Sequence, residues 1–199
     1  MKVYLFLYPI REYVETSLEG RYLKERGRDP RRLNKIIDYR YRRGGFQVTW
    51  LFFSAHTGSK TPDLTRTSEL IEVAPSDLVI GYGVSFAEHC EFRLYPRLKF
   101  VFDQLPTPID ELVLGGFHQQ DCVDKVARYA HWRRKIQAWV DEDTTDFFFA
   151  TTSINGPIPL NRRGPDIYSE LIKHGEEWVQ AVREVRKDKP WLDQVLGPK

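Results

Sequence analysis

Cys122 is the residue whose type and setting most invite chemistry. It lies in ELVLGGFHQQDCVDKVARYAHW, after an apolar strand and a glycine turn, at the expected first turn of a helix. A helix N-terminus offers unpaired N–H groups and partial positive charge, which favour thiolate over thiol. A thiol placed there can become a nucleophile. It can also be a small apolar core residue, and on residue type alone that inert reading is preferred.

The elements that must position Cys122 are legible in the chain on either side of it. With 199 residues, 41% of them hydrophobic and 29% charged, the sequence fits one soluble domain with a continuous core. Aromatic residues at 14% promise large buried side chains. No apolar run reaches the roughly 18 to 20 residues of a membrane span. Met1-Lys2 passes straight into the alternating segment Val3 to Leu7, which reads as a strand and not as an export signal. With only Cys90 and Cys122, the chain is expected to be cytoplasmic and reduced, without a disulfide.

The net charge of +2 conceals an asymmetry. Arg21, Lys24, Arg26, Arg28, Arg31, Arg32, Lys35, Arg40, Arg42 and Arg43 crowd one stretch, and Asp141 to Asp146 is acidic. No recognised nucleic-acid motif accompanies the basic run, so a solvated helix face is preferred over a nucleic-acid surface.

Asp29-Pro30 has the cap and first-turn residues of a helix start. Leu33, Ile36, Ile37 and Tyr41 give that helix an apolar face, and Gly44-Gly45 stops it. Phe46 to Phe53 reads as a buried strand, so the chain opens strand, helix, strand, with a right-handed crossover and parallel pairing. Residues 54 to 76 form a long polar excursion. Leu78 to Ile80 is a third strand, and Ser85 with Glu88 has the spacing of a capping box for a helix through Phe92 and Leu94. Leu112 to Leu114 marks a fourth strand, and Val123, Val126, Ala127 and Ala130 mark the apolar stripe of the next helix. Ile136 to Val140 is a fifth strand ending at Asp141, Phe147 to Phe149 is a further short buried piece, and a last helix is expected at about 165–187.

This alternation predicts a single α/β domain over 1–199, a three-layer Rossmann-like sandwich whose mostly parallel central sheet is flanked by helices. In such sheets ligands bind outside the carboxyl ends of the strands. Tyr8, His56, Tyr82, His118, Cys122 and Asp141 fall at or just beyond those ends.

The segment LVLGGFHQQDCVDKVARYAHWRRKIQAWVDED resembles the signature of the isochorismatase-like cysteine hydrolases: strand, glycine, Cys-Val, a helix with small residues, and a strand ending in Asp. KVYLFLYPIREY, YRYRRGG with FQVTWLFF, and DLVIGYGVSF resemble other family segments in the same order, so the resemblance covers about residues 1 to 150. It implies a Rossmann-like fold, frequent homo-oligomers, and hydrolysis of a C–N or related bond of a small molecule by Cys122. It also implies an Asp base after the first strand and a Lys after the third, where this chain has Tyr8 and Tyr82. Tyrosine, with an unperturbed pKa near 10, supplies neither an anionic base nor a fixed positive charge near neutral pH.

Glu12, four residues beyond Tyr8, and His118, four before Cys122, are the candidates to replace the base, with Tyr82 as a hydrogen-bond donor. The plainer readings, a solvated turn carboxylate and a packed loop histidine, are preferred until geometry brings them to the thiol. Tyr8, His56, Tyr82, Phe117, Gln119 and Asp121 are the expected substrate-binding positions, and the Asp121 and Cys122 amides could serve an oxyanion. The family's metal-dependent branch has Asp-x-His where this chain has Ser54-Ala55-His56. A metal set of His56, His118 and Asp143 is set against structural histidines and the latter are preferred, so neither metal nor cofactor is expected. The expectation is a divergent cysteine hydrolase, or a non-catalytic member of the same fold that holds a small ligand or a protein partner.

Overall fold

The computed structural model describes residues 1–19, 31–117 and 122–145. Five strands form one parallel sheet in the order β3-β2-β1-β4-β5: β1 Lys2–Leu7, β2 Gln47–Phe52, β3 Leu78–Gly81, β4 Glu111–Gly116 and β5 Gln137–Thr145. β1 is the middle strand, pairing Val3 to Leu7 with Gln47 to Leu51 and Lys2 to Leu7 with Glu111 to Gly116. Successive residues Val3 to Leu7 are all inaccessible, although neighbours on a strand point to opposite faces. Both faces of the sheet are therefore covered, as a parallel sheet requires.

The covering elements are α1 (Arg11–Glu19), α2 (Arg31–Ile36, continued by a wider turn Ile37–Arg42), α3 (Phe86–Phe92), α4 (Leu98–Phe102) and α5 (Asp124–Tyr129, continued by a wider turn Ala130–Arg134). Leu33, Ile36, Ile37 and Tyr41 bury the face read from their spacing. Ser85 caps α3, its Oγ accepting the Glu88 amide at 3.3 Å. The helix stops at Phe92, with Arg93 in the left-handed region at φ 51°, and does not continue to Leu94.

Three features depart from the sequence reading. α1 is a helix where the sequence reading named none, although Ile10, Tyr13 and Val14 recur at helical spacing with Ile10 and Val14 fully buried, and α4 is a five-residue helix whose Val101 and Phe102 reach the core. β5 runs past Asp141 to Thr145, after a register shift between Leu114 and Gly116. Asp141 tolerates this because Arg40 Nη1 approaches both its carboxylate oxygens at 3.3 and 3.4 Å and the Tyr41 hydroxyl donates to Oδ2. Both ionic side chains are at most 3% exposed, so at this position the basic stretch points inward, not to solvent. Arg42 likewise pairs with Asp77, which also accepts from Trp50 Nε1 at 2.7 Å and the Ala74 amide at 2.9 Å. The phenylalanine run at 147–149 and the helix expected at 165–187 lie outside the described residues.

The chain runs β1, β2, β3 to one side and then β4, β5 to the other. The order thus reverses between β1 and β4, and the crevice at their carboxyl ends is where this architecture takes ligands.

Candidate functional site

Three strand ends meet at that crevice. β1 ends at Leu7, and Tyr8 follows in the left-handed region at φ 60° with its amide donating to the Leu51 carbonyl at 2.8 Å. A bulky residue there costs of order 1–2 kcal/mol of backbone strain. Packing holds it: the Tyr8 ring stacks on Phe53 with centroids 4.7 Å apart and meets the Tyr82 ring edge-on at 5.0 Å. β3 ends at Gly81, and the Tyr82 amide donates to the Phe52 carbonyl at 2.7 Å, which fixes the second phenol. β4 ends at Gly116, whose φ of +101° and close approach to the Leu7 backbone leave no room for a side chain. The chain re-enters the described structure at Cys122, which is already helical and leads into α5.

The hydroxyls of Tyr8 and Tyr82 converge on Cys122. Burial pushes both phenols well above their ordinary titration range, and their proximity to Cys122 pushes them further in the same direction. Both are therefore neutral O–H groups near neutral pH. The Tyr8 hydroxyl is buried beside the Tyr82 hydroxyl and the Cys122 thiol but makes no well-formed hydrogen bond. Unlike the other buried polar atoms without a well-formed bond, it belongs to a residue that lines the cavity above it, where it can donate to an acceptor atom.

Above these groups lies a cavity of about 570 Å³, within the range of small-molecule sites. Its deepest lining residues are Tyr8, Tyr82, Cys122 and Val126, all buried. Half-buried Pro96, Leu98, Lys125 and Tyr129 form the walls. Tyr95, Arg128, Trp132 and Arg133 are exposed and form the rim. Lys125 Nζ sits 3.8 Å over the Tyr95 ring, a cation–π contact that ties wall to rim.

Of the residues picked from sequence, Tyr8, Tyr82 and Cys122 are brought together. Glu12 sits elsewhere, pairing with Arg66, which in turn lies 4.4 Å over the Phe86 ring. His56 is exposed in the turn after β2 and does not line the cavity. Phe117 is fully buried, packing against Phe6 and Tyr13 at 6.1 and 5.9 Å. His118, Gln119 and Asp121 lie outside the described residues. Among the described residues no cluster of three His, Cys, Asp or Glu side chains could hold a metal ion. Sequence reasoning missed Lys125, Arg128, Trp132 and Arg133. The available signal was their spacing from Cys122 of three, six, ten and eleven residues, which places them along one helix face.

No family model matches the chain, and no curated protein matches it. Among solved structures it is similar to N-carbamoylsarcosine amidase from Thermoplasma acidophilum, at 19% identity over 87% of this chain and 92% of that one, with a TM-score of 0.44. It is similar to an isochorismatase-like hydrolase from Alkaliphilus metalliredigens at 17% identity, over 73% of this chain and 81% of that one, with a TM-score of 0.45. It is also similar to MAR1 ribonuclease from Caenorhabditis elegans at 12% identity, over 100% of this chain and 95% of that one, with a TM-score of 0.38. These proteins carry different activities, and likeness at this level assigns none of them. The chain is an α/β sandwich built on one parallel sheet, with Cys122 at the base of its pocket.

Proposed function

We propose that the Cys122 cavity is a small-molecule binding site on a hydrolase-type fold, one that holds its ligand without cleaving it. The floor carries this reading. Tyr8 and Tyr82, two of the described groups beside the thiol, are neutral phenols, and burial makes them poorer acids still. A neutral phenol donates a hydrogen bond; it does not take a proton from a thiol near neutral pH. The Tyr8 hydroxyl, which makes no well-formed hydrogen bond, is suited to an acceptor atom of a bound ligand.

A second reading is favoured by the place of Cys122 itself, whose buried thiol lines the cavity. Here the sulfur attacks the carbonyl of a C–N bond, the thiol proton passes to the departing amine, and water releases the acyl group from sulfur. His118, four residues before Cys122, is the base this reading requires, since Glu12 is engaged with Arg66. In either case the chain is taken as one domain over 1–199 that works in the cytoplasm as a homo-oligomer. Cys90 and Cys122 are not joined in a disulfide, and among the described residues no helix is long and apolar enough to cross a membrane.

Competitive alkylation by iodoacetamide separates the two, with exposed Cys90 as internal standard. The binding reading expects buried Cys122 to react more slowly than Cys90. A Cys122 that reacts faster, with an apparent pKa well below about 8.5, would establish the nucleophile and overturn the first reading.

A further inference from the structure

The cavity is graded, and the grading specifies a ligand. At the bottom are two phenol hydroxyls, a thiol and Val126, in the middle an apolar wall of Leu98 and Tyr129, and at the exposed end Arg128, Trp132 and Arg133. Arg128 and Arg133 form no ion pair among the described residues, and no described carboxylate lines the cavity. Side chains with such long stems lose appreciable entropy when ordered, so an anion must bring two charges or multiple oxygens to organise them. Trp132 is 53% exposed beside them, a large flat surface that water solvates poorly.

We propose that the ligand is a flat-ringed phosphate monoester of nucleoside monophosphate size. The phosphate meets Arg128 and Arg133 at the rim, with Lys125 adding charge from the wall. The ring lies inward along Tyr129 and Val126, and its polar edge meets the hydroxyls of Tyr8 and Tyr82. Size favours this class over a simple aromatic acid. A cavity of about 570 Å³ is wide for a single substituted benzene ring, whereas sites of roughly 300–1,000 Å³ enclose ligands with several connected groups. This assignment rests on the reading of the cavity as a small-molecule site.

Isothermal titration of the full chain with AMP and UMP, beside adenosine, uridine, inorganic phosphate and a set of uncharged aromatic amides, tests it. The nucleotides are expected to bind at least tenfold more tightly than their nucleosides, about 1.4 kcal/mol. That advantage should shrink with added salt, because exposed charges are screened. The double variant Arg128→Gln/Arg133→Gln, checked for fold by circular dichroism, should lose the tenfold advantage and keep the nucleoside affinity. Equal binding of nucleotide and nucleoside, or an unchanged double variant, would overturn the phosphate assignment. So would binding of a single-stranded RNA oligonucleotide without binding of mononucleotides. If only the uncharged amides bind and protect Cys122 from iodoacetamide, the ligand class is wrong and the small-molecule site stands. If nothing binds and nothing protects Cys122, both fall together.

Discussion

Replacing Gly116 with alanine tests how the carboxyl end of β4 is fitted against β1, the junction from which the chain departs towards Cys122. Gly116 has φ +101°, and a Cβ there would lie 2.5 Å from the Leu7 amide nitrogen and 2.9 Å from its carbonyl carbon. A left-handed conformation costs an alanine roughly 1–2 kcal/mol. The contact adds to this, because Leu7 is backbone locked between two ladders and cannot move like a side-chain tip; forced overpacking of this kind costs about 1–3 kcal/mol. The sum is about 2–5 kcal/mol. Gly45 supplies the control: its φ is +75°, yet a Cβ there would meet nothing within 4 Å. Gly45→Ala therefore carries the conformational cost alone. Urea denaturation should find Gly116→Ala less stable than Gly45→Ala by about 1–3 kcal/mol, and thermal melts should differ by roughly 2–12 °C. Equal losses would show that the β4 end yields easily, and the claim that this junction fixes the site would fail.

Asp77→Asn should cost about 1.5–3 kcal/mol by removing the charge that Arg42 and Trp50 Nε1 share, measurable in urea at pH 7. Burial alone would raise the Asp77 carboxyl, but hydrogen bonds from Arg42, Trp50 and the Ala74 amide outweigh it and hold the pKa below its ordinary value. Its contribution is therefore present above about pH 4, the unfolded value, and fades as pH falls through the lower folded value. The variant's acid limb should be correspondingly shallower, and an identical limb would refute the assignment. Tyr8→Phe removes a buried hydroxyl that makes no well-formed hydrogen bond, so the ligand-free protein should be as stable as wild type or up to about 1 kcal/mol more so. Ligand affinity should fall in the same variant. A loss of stability would show that the hydroxyl is already satisfied in the ligand-free protein.

The central strands were legible because a parallel sheet buried on both faces writes itself as continuous apolar runs, as at Val3 to Leu7 and Val48 to Phe52. Ser85 and Glu88 likewise announced α3, since a cap is a local interaction between near neighbours. The end of β5 was hidden. Asp141 looks like a strand terminator until Arg40 and Tyr41, a hundred residues away in sequence, are seen to neutralise it. The floor of the site followed from strand ends, which place Tyr8, Tyr82 and Cys122 together in any fold of this order. The cationic rim did not. Lys125, Arg128 and Arg133 read as the solvated side of an amphipathic helix, and it is Tyr95, Pro96 and Leu98, brought in from before β4, that turn that side into a cavity wall.

The most direct test of the central claim compares wild type with Cys122→Ala in two assays on the same preparations: hydrolysis of a panel of small amides, and calorimetric affinity for whichever ligand the wild type binds. A site that holds its ligand without cleaving it gives turnover in neither protein and affinities within about threefold, under roughly 1 kcal/mol. Amide turnover by the wild type that disappears in Cys122→Ala would contradict it and make Cys122 the nucleophile.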